Sequence, residues 1–330
     1  MVAANAPIVT IFGGSGFVGR YIARRMAKAG WRVRIAVRRP NEALFTQTYG
    51  VVGQVTPILA NLRYPKSVIE ACAGADAVVN CVGILAPSGK QTFDAVQDEG
   101  AGTVARAAAQ EGVAKFVHVS AIGADAGSTS NYARTKAEGE AKVRGHFPDA
   151  VILRPSIVFG QEDEFFNRFA AMARLSPALP LVGPNTRFQP VFVDDVAAAA
   201  ERALTTEVAP GVYELGGPEV ATFRALMERM LDVVQRNRAL VPLPFPLARI
   251  MGRLSDGVSW LSGGLIPAQI TLDQVKLLAK DNVASANLPG LSELGVTPTA
   301  MDAVLEDYLY TYRPHGQYAE TIASAKHLKD

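Results

Sequence analysis

The chain of 330 residues is about twice the length of a usual single domain, and 49% of it is hydrophobic, which excludes a disordered chain and predicts a nucleotide-sized α/β domain with a second lobe. Its 33 basic and 31 acidic residues leave a net charge of +2 at 19% charged residues, which excludes the broad basic footprint of a nucleic-acid binder. Cys72 and Cys81 have neither CxxC nor Cys/His spacing, so no metal site or disulfide framework is expected. With no secretory pattern in residues 1–9 and no apolar window long enough to span a bilayer, the chain reads as reduced, intracellular and soluble or peripheral.

In chain order, 8–12 reads as a strand, 13–19 as a glycine-rich turn and 17–29 as a helix closed by Gly30. The alternation continues with strand 32–37, helix near 41–48, strand 55–59, helix 65–73 and strand 77–82. Helix 92–110, strand 115–119, helix 132–145 and strand 151–154 follow. Continuous apolar strands alternating with helices predict a Rossmann-type α/β fold, a doubly wound parallel sheet covered on both faces. Residues 1–155 are the expected nucleotide-binding domain and 156–330 a smaller, mixed C-terminal lobe. That lobe reads as helix 165–174, a Pro/Gly-rich stretch over 176–190, strand 191–193, a helix from Asp195 and a strand over 212–215 placed to rejoin the main sheet.

Gly13, Gly16 and Gly19 stand at GxxGxxG spacing, with Ser15, Phe17 and Val18 between them, after the first strand and at the start of the first helix. Glycine there permits a tight turn and close backbone approach to a pyrophosphate, and the helix start offers N–H groups and a favourable dipole. A plain turn would use the same glycines, but the strand–loop–helix context favours a dinucleotide. Where an NAD site carries an acidic residue at the end of the second strand, this chain has Arg38 and Arg39. Guanidinium groups bind a 2′-phosphate, so NADPH or NADP+ is the expected cofactor, the alternative being two solvated surface charges. Asn61 and Leu62 follow the third strand and Val82 and Gly83 the fourth, at successive strand ends where open α/β sheets bind ligands.

Tyr132 and Lys136 share one helix face at i and i+4 after the fifth strand. A lysine so placed lowers the phenol's pKa and reaches a ribose, so that the tyrosine serves as acid or base in carbonyl reduction. Ser120, at the end of that strand, is the hydroxyl to orient a carbonyl. The same three residues serve equally to hold a cofactor without turnover.

The glycine loop, Ser120, the Tyr132/Lys136 pair, Leu153-Arg154-Pro155 with Phe159-Gly160, and Val193-Asp194-Asp195-Val196 together resemble the extended or atypical short-chain dehydrogenase/reductases over nearly the whole chain. Within that superfamily, Asn80-Cys81-Val82-Gly83, the run from Arg154 to Asp163, the run from Phe165 to Phe169 and Leu243-Pro244-Phe245-Pro246 resemble the nucleotide-binding accessory subunits of respiratory complex I, the NADH:quinone oxidoreductase. The resemblance implies a tightly held NADPH and other complex I subunits as partners. It also implies a peripheral place at the junction of the hydrophilic and membrane arms, on the cytoplasmic or matrix side of the energy-transducing inner membrane, and no turnover in the quinone reaction. In that setting Ser120, Tyr132 and Lys136, with Pro155, Ser156 and Ile157, hold the cofactor. Two other readings stay open: a working NADP-dependent reductase, epimerase or dehydratase with Tyr132 as acid/base, and an NADP-sensing scaffold that signals by exchanging partners.

In the second lobe, Asp194 and Asp195 precede a helix and read as its amino-terminal caps rather than as metal ligands. His118 reads as a packed residue, and His146, His315 and His327 as surface residues. Prolines 242, 244 and 246 lead into Leu247, Ile250, Met251, Leu254, Val258 and Leu261 at helical spacing, with Arg249, Arg253 and Asp256 opposite and Trp260 near the end. Segment 241–267 therefore fits a helix docked on a membrane or partner, or an ordinary core-facing helix. The tail beyond Tyr312 reads as an extended arm for a partner to order.

Overall fold

The computed structural model describes residues 5–261 and 271–318. The first half alternates as read: β1 (Ile8–Phe12), α1 (Phe17–Lys28), β2 (Arg32–Val37), β3 (Val55–Leu59), α2 (Pro65–Cys72), β4 (Ala77–Asn80), α3 (Glu99–Gln110), β5 (Lys115–Val119), α4 (Asn131–His146) and β6 (Val151–Pro155). The expected helix at 41–48 is a 3-10 segment, Pro40–Tyr49, and a π turn, Asp94–Asp98, leads into α3. β4 stops at Asn80 because the Asn80 carboxamide accepts the Val82 N–H at 3.1 Å, which turns the chain out of the sheet.

The remainder contributes β7 (Val158–Phe159), α5 (Phe166–Leu175), β8 (Ala178–Val182), β9 (Arg187–Phe188), β10 (Val191–Phe192) and α6 (Val193–Thr205). These are followed by β11 (Gly211–Leu215), β12 (Ala221–Thr222), α7 (Phe223–Val233), β13 (Ala239–Leu243), α8 (Phe245–Leu261), α9 (Leu272–Leu277) and α10 (Leu305–Leu309). The Pro/Gly-rich stretch at 176–190 is thus partly strand: β8 pairs in parallel with β13 across Pro180 and Pro242, and β9 pairs antiparallel with β12.

Seven strands form one parallel sheet in the order β11-β6-β5-β4-β1-β2-β3. One face packs α1 and α6 through Ile22, Met26, Val196 and Leu204. The other packs α2, α3 and α4 through Val68, Val104, Val143 and Phe116. Cover on both faces explains why β1, β4 and β5 are almost wholly apolar. β3 is an open edge. In it the Ala60 N–H and the Gln54 carbonyl bond to β2, so Pro57, of opposite parity, turns its donorless nitrogen outward. A separate core of Phe159, Phe166, Leu179, Phe188, Phe223, Met227, Met230 and Leu305 fills the second lobe.

The two aspartates at the start of α6 correct the capping expectation. α6 begins at Val193, with Phe192 at the cap position and both carboxylates already in the first turn. Asp194 receives a bidentate contact from Arg25 of α1 at 2.9 and 2.7 Å. Asp195 accepts the Thr299 N–H and hydroxyl at 2.7 and 2.9 Å. Both carboxylates therefore lie at the helix's positive end, but their bonds go to distant chain. His118 is buried, whereas His146 and His315 are exposed. His327, the tail after 318, residues 262–270 and the side chains of Asp256, Val258, Trp260 and Leu261 lie outside the described residues.

Candidate functional site

β1 has β2 on one side and β4 on the other, so the connections leave in opposite directions and open a crevice at the strands' carboxyl ends. The glycine loop fills its mouth. Gly13 sits at φ +74°, a conformation that disfavours a side chain, and its N–H donates to the Ala36 carbonyl at 3.0 Å. A Cβ at Gly19 would come within 2.8 Å of the Gly14 Cα, so α1 presses directly on the loop. The helix opens at Phe17 behind Gly16, with no side-chain cap and no acidic residue in its first turn. The leading N–H groups have no acceptor within the helix and face the loop with the positive end of the dipole, a cradle suited to a pyrophosphate.

Val82 lies beneath Gly13, and Gly83 beside the Lys136 ammonium, where an added Cβ would stand 3.3 Å from Nζ. Loop, fourth-strand end and α4 thus converge on one crevice. Lys136 is buried and donates to the Val119 carbonyl at 3.3 Å. Burial pushes its ammonium down to about 8, against the opposing pull of Glu140 and Cys81. Tyr132 is half-buried, its ring edge-on to Phe93 at 5.9 Å and 6.0 Å from Lys136 Nζ. Burial drives its phenol up to about 12, which reverses the expectation that Lys136 would acidify it.

Ser120 is almost fully buried and donates its hydroxyl proton to Glu140 Oε1 at 2.5 Å. Glu140 is 1% exposed and receives Arg154 Nε and Nη2 at 2.9 and 2.6 Å, while Arg154 Nη1 lies 3.5 Å from Glu214. The single proton of Ser120 is thereby committed to a buried carboxylate. Beside it, His118 Nδ1 lies 3.2 Å from the Asn80 carboxamide nitrogen, which assigns the ring proton to Nε2. Burial, with the nearby Lys136 charge, pushes the imidazole down to about 3. His118 is neutral here and serves no acid–base task at neutral pH.

The other expected positions divide. Arg38 and Arg39 are exposed at the end of β2. Arg39 pairs with Glu42 at 2.9 Å, whereas Arg38 makes no ion pair among the described residues. The Asn61 side-chain oxygen accepts the Arg63 N–H at 3.1 Å, and Leu62 packs on Gly100 of α3. Pro155 accepts the Ile122 N–H at 3.0 Å. Ser156 spends its hydroxyl on Asn282, 2.7 Å from Oδ1, and Ile157 packs against the second lobe's core. Sequence reasoning passed over two residues that shape the site. Glu140, one turn beyond Lys136 on the same face, was readable from spacing. Asp273, which bonds Ser130 Oγ and the Asn131 and Tyr132 N–H groups at 2.7 to 3.1 Å, lies more than 140 positions away and leaves no local signal.

Residues 13–173, which carry the cradle, match the NAD(P)H-binding family. Over 97% of its length the chain is 32% identical to the Arabidopsis thaliana mitochondrial NADH dehydrogenase [ubiquinone] 1 alpha subcomplex subunit 9, covering 81% of that protein. The chain belongs to the family of that subunit. A Caulobacter vibrioides ceramide reductase is 30% identical over 86% of this chain and 87% of its own. The fold is that of the extended short-chain dehydrogenase/reductases. The Thermus thermophilus UDP-glucose 4-epimerase, solved with NAD, superposes with a TM-score of 0.68 over 93% of this chain and 99% of its own at 19% identity.

Removing the guanidinium from Glu140 should be severe. Arg154→Ala leaves a buried, uncompensated carboxylate and is expected to cost about 3–5 kcal/mol in urea unfolding, whereas a loss under about 1 kcal/mol would mean that water reaches Glu140. His118 gives a pH signature. Its ring titrates near 6.5 when unfolded and at about 3 when folded, so the unfolded chain takes up the proton first as pH falls. The contribution is complete above pH 6.5 and decays between 6.5 and 3 by roughly 1.4 kcal/mol per pH unit. Stability curves of wild type and His118→Gln between pH 7 and 4 should converge with about that slope, and parallel curves would contradict a neutral buried ring.

Proposed function

We propose that this chain is a non-catalytic NADPH-binding accessory subunit that stabilises or regulates respiratory complex I near the junction of its peripheral and membrane arms. The observation that carries the reading is the commitment of Ser120 to the Glu140–Arg154 pair. A hydroxyl that donates to a buried carboxylate has no proton left for a substrate carbonyl. The residue expected to orient a carbonyl is thus engaged in a structural hydrogen bond. Full-length kinship to a subunit of NADH dehydrogenase points the same way.

In this reading the backbone of Gly13, Ser15, Gly16, Phe17, Val18 and Gly19 holds the pyrophosphate, Arg38 and Arg39 the 2′-phosphate, and Asn61 and Leu62 the adenine. Val82, Gly83, Tyr132, Lys136 and the strand ends at Ser120 and Pro155 to Ile157 surround the nicotinamide ribose. NADPH, when bound, brings a hydride donor; the chain supplies anion-binding N–H groups, a buried ammonium and close-packed walls. The nucleotide-binding domain is taken as 1–155 and the smaller lobe as 156–330. The partners are other complex I subunits, on the cytoplasmic or matrix side of the inner membrane, and nucleic acid has no part.

The outer face of α8 supplies a membrane contact: Leu247, Ile250, Met251 and Leu254 are 46, 56, 42 and 66% exposed, and Arg249 and Arg253 stand exposed among them. Arg249 and Arg253 are the charged residues of 239–255, and Asp256 follows them. An apolar stripe accompanied by two exposed arginines suits anionic lipid headgroups. Among the described residues no helix is long and apolar enough to cross a membrane.

A working reductase is the second reading, favoured by the intact Tyr132–Lys136 pair and the 30% identity to a ceramide reductase. Native purification in mild detergent decides between them. An accessory subunit co-purifies with the complex and releases NADPH on denaturation, and Tyr132→Phe leaves assembly and quinone reduction intact. An isolated chain that reduces a ketone of a long-chain lipid, and loses about 10²- to 10⁴-fold of that rate in Tyr132→Phe, would overturn the first reading.

Cofactor choice is tested separately. Wild type should bind NADPH about ten- to a hundredfold tighter than NADH, and Arg38→Ala should lose most of that preference. Equal affinities of the wild type for the two nucleotides would remove the assignment of Arg38.

A further inference from the structure

α8 has two faces with different work. Its inner face carries Ala248 and Gly252, both buried. A Cβ at Gly252 would stand 2.9 Å from the Leu272 nitrogen, so the helix backbone rests directly on the start of α9. Ala248 and Val275 then share a small apolar cluster with Val182, Leu243, Phe245 and Leu278. The outer face is the exposed apolar stripe already described.

α9 in turn reaches the nucleotide crevice. A capping box between Thr271 and Gln274 fixes its first turn and aims Asp273 at the positive end of α4. Asp273 Oδ2 accepts Ser130 Oγ at 2.7 Å and the Tyr132 N–H at 3.1 Å, and Oδ1 accepts the Asn131 N–H at 2.8 Å. Lys276 Nζ adds a bond to the Thr129 carbonyl at 2.8 Å. The chain after α9 continues across the same strand ends, where Asn282 bonds the Ile122 carbonyl at 3.3 Å and the Ser156 hydroxyl at 2.7 Å. The lipid-facing helix is therefore joined by backbone contact and a carboxylate to the first turn of the helix that carries Tyr132 and Lys136.

We propose that docking of α8 on an anionic lipid surface and binding of the nucleotide are energetically coupled through α9, with Asp273 as the positioning residue that transmits the coupling. The proposal rests on the reading of this chain as a nucleotide-binding, membrane-peripheral subunit. Docking restrains α8 and hence α9, which holds the start of α4 in one position. Nucleotide on Tyr132 and Lys136 restrains α4 from the other side. Each event lowers the ordering cost of the other, and linkage requires the same factor in both directions.

The test uses the full chain, NADPH, and vesicles of phosphatidylglycerol in phosphatidylcholine, with pure phosphatidylcholine for comparison. Anionic vesicles should tighten NADPH binding about five- to tenfold, and saturating NADPH should raise vesicle partitioning by the same factor. Leu254→Glu should abolish partitioning and leave the NADPH affinity measured without vesicles unchanged. Asp273→Ala should bring both coupling factors to about one while each ligand still binds singly. Gly252→Ala, which lifts α8 off α9 and leaves Asp273 in place, should do the same and serves if Asp273→Ala loses its cooperative thermal transition. Wild type that binds both ligands independently overturns the coupling and leaves the proposed function standing. Wild type that binds no NADPH, or no anionic vesicles, overturns the membrane-peripheral nucleotide reading and the coupling with it.

Discussion

One buried carboxylate sets the terms for the centre of this molecule. Glu140 sits on α4 beneath the ends of the sheet, and an isolated charge there would be prohibitively costly. It is tolerated because Arg154 of β6 grips it with two nitrogens and Ser120 at the end of β5 donates to it. Arg154 also reaches Glu214 of β11, whose other oxygen takes the Ser285 N–H at 2.8 Å. Two strands, the strand returning from the second lobe and the helix of Tyr132 and Lys136 are thus held in one register. The requirement to neutralise one charge ties these elements together and engages the Ser120 hydroxyl in a hydrogen bond.

The lobes are joined by the same type of device at their other contacts. Arg25 on α1 clasps Asp194 and Glu201 on α6, and Arg20 and Tyr21 of the same helix donate to Glu162 at 3.0 and 2.9 Å. Within the second lobe, Asp195 holds the loop at Thr299 and Asp163 accepts the Tyr308 hydroxyl at 2.6 Å across 145 positions of chain, where burial raises its carboxyl above the usual range. Each carboxylate is bonded by a donor far from it in sequence. The second lobe is accordingly fastened to the nucleotide-binding half at several points rather than hung from a linker.

Much of this was legible in the residues, for definable reasons. β1, β2, β3 and β5 fall at the expected bounds because the strands of a parallel sheet covered on both faces are rich in apolar residues. The glycine loop, the Lys136 position and the buried His118 follow from local pattern. β8 and β13 were hidden by Pro180 and Pro242, which mimic loop composition although both strands pair. The roles of Asp194, Asp195 and Asp273 were hidden because their partners are distant. The rise of the Tyr132 phenol comes from burial, which residue spacing does not display.

Pro57 has a consequence for the chain outside any assembly. Its nitrogen lies on the outward side of β3, where the seven-stranded sheet ends without a neighbour. A second strand arriving at that border finds a gap in the row of donors it would need, so this edge is a poor template for stacking one copy on another. An apolar helix face exposed elsewhere adds to the hazard of such stacking, and one ring at the margin of the sheet works against it.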